Sequence, residues 1–257
     1  MSKWFLFVSV LFLASCSCGR DNTSFSFVHS GPQVVESRSL RGFEKIEVLG
    51  SPTVYYQQAD SFSVQVKGDK SAVERILADV SGSTLTIRNK GKMGVVNVQI
   101  GGIDGHAAVY VTSPDLIGVR LSGSGDFISE KPVDTDVMDI SLKGSGDVRF
   151  VQLLCDRCNV GLVGSGDVNV EQLDAKESDI SLTGSGDINI RQQHVAATRI
   201  SLRGSGDVDV DFGPGCGSVE AMLQGSGDIE LKGRVQRMNK EKRGSGDIDT
   251  DGLKVGE

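Results

Sequence analysis

Seven copies of Gly-Ser-Gly-Asp place carboxylates at Asp126, Asp147, Asp167, Asp187, Asp207, Asp228 and Asp247, with successive copies 19 to 21 residues apart. Carboxylates at a near-constant offset suit two chemistries. They accept hydrogen bonds from a corner's own amides and Ser hydroxyls and so fix it, as Asx-type turns do. Alternatively, adjacent copies share a hard cation such as Ca2+, which takes oxygen ligands from Asp side chains and backbone carbonyls. The nonapeptide pattern of calcium β-rolls is absent, which puts the corner role first. Stacked about 4.8 Å apart, neighbouring carboxylates repel by roughly 1 kcal/mol in water, so something must offset that repulsion.

The pair Cys155 and Cys158 has the spacing of a redox or metal motif, yet no second Cys pair and no nearby His completes a four-ligand zinc site. Aligned on the repeat, Cys155 stacks over Ala175 and Val195, and Cys158 over Ser178 and Thr198. Small-residue packing is the first account of the pair, and a local disulfide is the second. Cys216 falls three repeats on, roughly 14 Å away by strand spacing and beyond bridging distance. His29, His106 and His194 are scattered, and none recurs with a Ser and an acid, so nucleophilic catalysis has no support. A rival reading is an enzyme acting on acidic glycans through carboxylates of adjacent coils. Such sites need a cleft walled by long inter-coil loops, and the tight period leaves no room for them. Ice binding would need a flat Thr-rich face that the outward positions do not offer.

The repeat also predicts what positions these residues. Apolar residues follow each Asp at alternate positions, as in Val148 and Phe150, Val168 and Val170, Ile188 and Ile190, and Val208 and Val210. Polar residues lie between them, which is a strand with one buried face. A second alternating pair precedes the next motif: Val160 and Leu162, Ile180 and Leu182, Ile200 and Leu202. A short third segment lies between, with Leu153 and Cys155, Leu173 and Ala175, then Gln193 and Val195. About 20 residues per coil predicts an all-β fold, a right-handed parallel β-helix in which like residues stack into columns.

Residues 41–120 show the same alternation without the motif and read as irregular coils: Ile46–Val48, Val64–Val66, Leu85–Ile87, Val96–Ile100 and Val109–Val111. Ser71 and Glu74 have capping-box spacing, and Val73, Ile76, Leu77 and Val80 share one helical face, so the pattern predicts a short capping helix over 71–80. The regular coils then occupy 121–251. Arg234, Arg237, Lys240, Lys242 and Arg243 make the last coil basic, as a solvated cap for the open sheet end or as a contact for an anionic glycan.

Lys3 precedes an apolar run from Trp4 to Leu13, too short to span a bilayer, which reads as an export signal over residues 1–15. It closes on Leu13-Ala14-Ser15-Cys16, a lipobox, making Cys16 the predicted lipid anchor. Ser17 favours the outer membrane. Residues 16–40 read as a flexible tether, with Phe25, Phe27 and Val28 as a candidate first strand. Acidic residues outnumber basic ones, 34 to 27, and the formal net charge of −7 excludes nucleic acid as partner.

Gly42-Phe43-Glu44-Lys45-Ile46-Glu47-Val48, Val64-Gln65-Val66-Lys67-Gly68, Leu85-Thr86-Ile87, Ser113-Pro114-Asp115-Leu116 and the repeated Gly-Ser-Gly-Asp resemble the auto-transporter adhesins with a GIN head domain, over residues 42 to 250. The resemblance implies a β-helical head domain on an exported bacterial protein, commonly a lipoprotein, with adhesion as its role. The sequence has no downstream run of barrel strands to carry auto-transport, so the lipid anchor takes that place. The expectation is a lipid-anchored, non-catalytic cell-envelope module binding a surface glycan or protein ligand. The readings beside it are a polysaccharide-active β-helix enzyme and a Ca2+-binding spacer.

Overall fold

The computed structural model describes residues 32–91 and 106–256. The apolar run Trp4–Leu13, Cys16, Phe25–Val28, His29 and the strand expected at Val96–Ile100 lie outside the described residues.

Stacked parallel pairing dominates from residue 118 onwards. Strands entering the motif pair coil to coil, with Ile140 opposite Val160, Val160 opposite Ile180, Ile180 opposite Ile200 and Ile200 opposite Ala221. Strands leaving it do the same, with Val148 opposite Val168, Ile188 opposite Val208, Val208 opposite Ile229 and Ile229 opposite Ile248. A short third segment pairs Val133 with Leu153 and Leu153 with Leu173. These inward residues merge into one continuous apolar core. The protein is therefore an all-β solenoid of about seven turns.

The corners fix the registry. The carbonyl of Gly164 accepts the amides of both Ser185 (2.9 Å) and Gly186 (3.2 Å) from the next coil. Gly184 holds φ +138°, which a side chain rarely tolerates, and a Cβ on Gly186 would strike the carbonyl oxygen of Gly166. The first glycine thus serves both backbone conformation and close approach, since a Cβ on Gly184 would also strike the Gly164 carbonyl oxygen, while the second serves close approach. Ser at the second motif position and nearly every motif Asp point to solvent.

The column of corners begins one coil before the first motif. Gly50 lies opposite Gly123 and Thr53 opposite Asp126, so Gly50-Ser51-Pro52-Thr53 occupies an eighth corner, and Thr53 Oγ1 donates to Asp126 Oδ2 at 3.1 Å. Only Gly-Ser survives there as signal, 73 residues before Gly123, because the chain leaves the coil to build a cap.

The cap replaces part of the expected irregular coils. The strands of this N-terminal half are β1 (Gln33–Arg38), β2 (Lys45–Gly50), β3 (Thr53–Gln58), β4 (Ser63–Asp69), β5 (Ile76–Ser81), β6 (Thr84–Asn89) and β7 (Ala107–Ser113), followed by β8 (Gly118–Gly123) and β9 (Asp126–Ser129). The strands β2 and β3 belong to the solenoid, pairing in parallel with β8 and β9. By contrast β1 pairs antiparallel with β4, β4 with β7 and β5 with β6. The helix expected over 71–80 is corrected: helical residues are confined to Lys70–Val73, and Ile76–Ser81 is strand. Ser81 pairs with Thr84 across a two-residue turn at Gly82-Ser83, and this hairpin makes Ile76, Ala78 and Val80 alternate inward instead.

At the other end, the inward columns finish in lysines. Lys240 lies opposite Ala221 and Lys242 opposite Leu223. Lys240 Nζ reaches the Ile248 carbonyl at 3.4 Å and Thr250 Oγ1 at 3.3 Å, while Lys242 Nζ reaches Asp247 Oδ1 at 3.1 Å. Positive charges at this open end discourage edge pairing with another chain.

Candidate functional site

The seven aspartates form the expected column, but their partners differ from those of a self-contained turn. Asp187 N–H donates to Asp167 Oδ1 (3.2 Å), Asp207 N–H to Asp187 Oδ1 (3.1 Å), Asp228 N–H to Asp207 Oδ1 (3.0 Å) and Asp247 N–H to Asp228 Oδ1 (2.6 Å). These four carboxylates, of Asp167, Asp187, Asp207 and Asp228, clamp the backbone of the following coil, and the amide dipoles offset the repulsion between neighbouring charges. Burial, and then the charge of Asp167, hold the Asp147 carboxyl above its usual pKa, although the Asp167 amide opposes the shift. At the last coil the Lys242 ammonium holds Asp247 below its usual value. Among the described residues, no three His, Cys, Asp or Glu side chains converge as a metal ion would require.

Cys155 and Cys158 lie opposite Ala175 and Ser178, as the alignment implies, and both are thiols, as is Cys216. The third coil departs from the alignment. Gln192, not Gln193, takes the buried position opposite Leu173, and the chain regains the missing residue at His194, whose φ is +61°. Gln192 lies in a buried polar cluster: Ser178 Oγ donates to Gln192 Oε1 (2.9 Å), and Gln192 Nε2 donates to Thr198 Oγ1 (2.9 Å). His194 pairs at the surface with Asp174 Oδ2 at 3.0 Å, whereas His106 sits in the cap with its backbone N–H on Asp69 Oδ2.

A groove of about 700 Å³ lies on the outside of the strands entering the motif, crossing coils from Arg157 to Asn239. Two outward columns build it. Arg157, Glu177, Ala197, Ser218 and Arg237 stack in one, and Asn159, Asp179, Arg199, Glu220 and Asn239 in the other. Small Ala197 and Ser218 open the depression between larger polar walls. Arg157 Nη2 pairs with Glu177 Oε2 at 2.8 Å, and Arg199 Nε with Glu220 Oε2 at 3.2 Å. Arg237 pairs with no carboxylate among the described residues, which leaves a cation at the C-terminal end of the groove. The acids here are thus engaged by guanidinium groups, an arrangement suited to holding a polar ligand and ill suited to general acid–base work. Sequence reasoning missed this groove, and its signal is the pair of small residues in an otherwise large, charged column.

A family model described as putative auto-transporter adhesin, head GIN domain, matches residues 42–213. The chain belongs to this family. Among solved structures, a putative adhesin from Bacteroides fragilis NCTC 9343 is 26% identical, with a TM-score of 0.72 over 88% of this chain and 98% of that one. A putative adhesin from Parabacteroides merdae ATCC 43184 shares the fold at 18% identity and a TM-score of 0.68, covering 85% of this chain and 97% of its own. A protein described as a putative lipid binding protein, from Parabacteroides distasonis ATCC 8503, has 20% identity and a TM-score of 0.61, covering 85% and 98%. No curated protein matches the chain. The GIN-domain family thus supplies an adhesin description and a solenoid fold, and among the described residues no helix is long and apolar enough to cross a membrane.

Proposed function

We propose that this GIN-domain protein is a non-catalytic binding module of the cell envelope. In this reading Cys16 carries the lipid anchor of an outer-membrane lipoprotein, residues 16–40 form the tether, and the coil is right-handed, the sense favoured by crossover chirality. The ligand lies along the groove between Arg157 and Arg237 and is an extended polar chain with anionic groups, such as a surface glycan. The supporting observation is that five successive coils align charged and amide side chains along one groove, so contacts repeat at each rung as a polymer's residues do.

Glycan-array binding beside a reducing-sugar release assay tests this. Stoichiometric binding to acidic glycans without product is expected. Product release with turnover would replace the binding module by an enzyme. The anchor is tested separately by labelling cells with a clickable fatty acid. Label on the wild type and its loss in Cys16→Ser is expected, whereas equal labelling of both would remove Cys16 from the account.

A further inference from the structure

Cys155 and Cys158 stand on either side of one corner. Asp156 and Arg157 between them both face solvent, and their amides donate to a single acceptor, the Asp136 carbonyl, at 2.9 Å and 3.2 Å. Two consecutive amides on one oxygen mean that the chain turns there. Cys155 is therefore the last inward residue before the bend and Cys158 the first after it, so the side chains converge on the inside of the corner. The next coils repeat this geometry with Ala175 and Ser178, then Val195 and Thr198. The neighbouring Cys155 thiol, followed by burial, pushes the Cys158 thiol up.

Access separates the pair. Cys158 is fully buried, whereas Cys155 is partly exposed beside the solvent-facing turn. Cys216 is buried three coils away, with its thiol on the Ser218 carbonyl at 3.5 Å and 3.8 Å from Thr198 Oγ1.

We infer that Cys155 and Cys158 form an oxidisable dithiol and close a local disulfide by exchange with a small-molecule disulfide, leaving Cys216 reduced. The Cys155 thiolate attacks one sulfur of the oxidant, forming a mixed disulfide and releasing one thiol. Cys158 then gives up its proton and attacks Cys155 sulfur, expelling the second thiol. Two protein thiols are oxidised and one disulfide is reduced to two thiols, so atoms and electrons balance.

The test uses the full chain, reduced and then incubated with oxidised glutathione, followed by alkylation in denaturant and tryptic mapping. Trypsin cuts after Arg157, so the two cysteines leave in separate peptides unless bonded. The expected result is a peptide pair that separates on reduction, with Cys216 fully alkylated. Cys158→Ser should leave glutathione on Cys155, and Cys155→Ser should leave Cys158 unmodified over the same time. In the wild type, a lasting glutathione adduct on Cys155, alkylation of both Cys155 and Cys158, or consumption of Cys216 would each overturn the inference.

Discussion

The backbone amide of Asp207 donates to the carboxylate of Asp187, its counterpart one coil earlier, at 3.1 Å. The motif's Asp is therefore a clamp between coils, and its value lies in the acceptor oxygen more than in the charge. Asp187→Asn retains an oxygen at that place and should change stability by no more than about 0.5 kcal/mol. Asp187→Ala strands the Asp207 amide and should cost about 1 kcal/mol. Chemical denaturation of both variants checks this. Equal losses for Asn and Ala would show that the charge matters instead.

Glycine pairs in this chain look alike in sequence and differ in structure. A Cβ on Gly166 would strike the carbonyl oxygen of Gly146, whereas one on Gly161 meets Ser181 Oγ at an ordinary 3.5 Å. Gly166→Ala should destabilise by about 1–3 kcal/mol through overpacking, and Gly161→Ala should stay within about 0.5 kcal/mol of wild type. The two melting curves decide the matter, and similar shifts would contradict the close stacking of corners.

Lysines at inward positions of the last coil should keep the solenoid end from extending. Replacing Lys240 by Ile and Lys242 by Leu together continues the columns of Ala221 and Leu223 to an open edge. The double variant should self-associate in size-exclusion chromatography with light scattering, at concentrations where the wild type shows no change in mass. An unchanged mass for the variant would remove the negative role of the lysines.

The aspartate column has a pH signature of a definite sign. Asp147, held above its usual pKa by burial and by Asp167, binds its proton more tightly folded than unfolded. Its ionised form therefore opposes folding at neutral pH, and stability from this group rises as pH falls through the raised value. Asp247, held low by Lys242, contributes in the opposite sense, with stability present above the unfolded pKa and lost as pH falls through its lowered value. Asp147→Asn should be more stable than wild type at neutral pH, with the gap closing towards about pH 4. A gap that widens on acidification would reverse the assigned sign.

Much of the fold was legible because identical corners demand identical backbone, and that requirement leaves Gly-Ser-Gly-Asp at a fixed offset. The stacking of Cys155 over Ala175 and of Cys158 over Ser178 follows directly from it. Where the chain reverses direction, periodicity misleads: Val73, Ile76, Leu77 and Val80 satisfy a helical face, but the turn at Gly82-Ser83 commits Ile76–Ser81 to antiparallel pairing. Compensating shifts were hidden too, since the coil holding Gln192 and His194 loses one residue and regains it while keeping its 20-residue period. The groove was illegible for another reason. It depends on which outward column holds Ala197 and Ser218, a fact of side-chain size across coils and not of any local motif.

The most direct measurement of the central claim is binding of an acidic glycan, identified on the array, to wild type and to a variant with Arg199→Glu and Arg237→Glu, both confirmed folded by circular dichroism and thermal melting. The groove account predicts at least about a tenfold loss of affinity in the variant, with wild-type binding that weakens as salt is raised. Unchanged affinity in the folded variant would contradict it and place the ligand on another face of the solenoid.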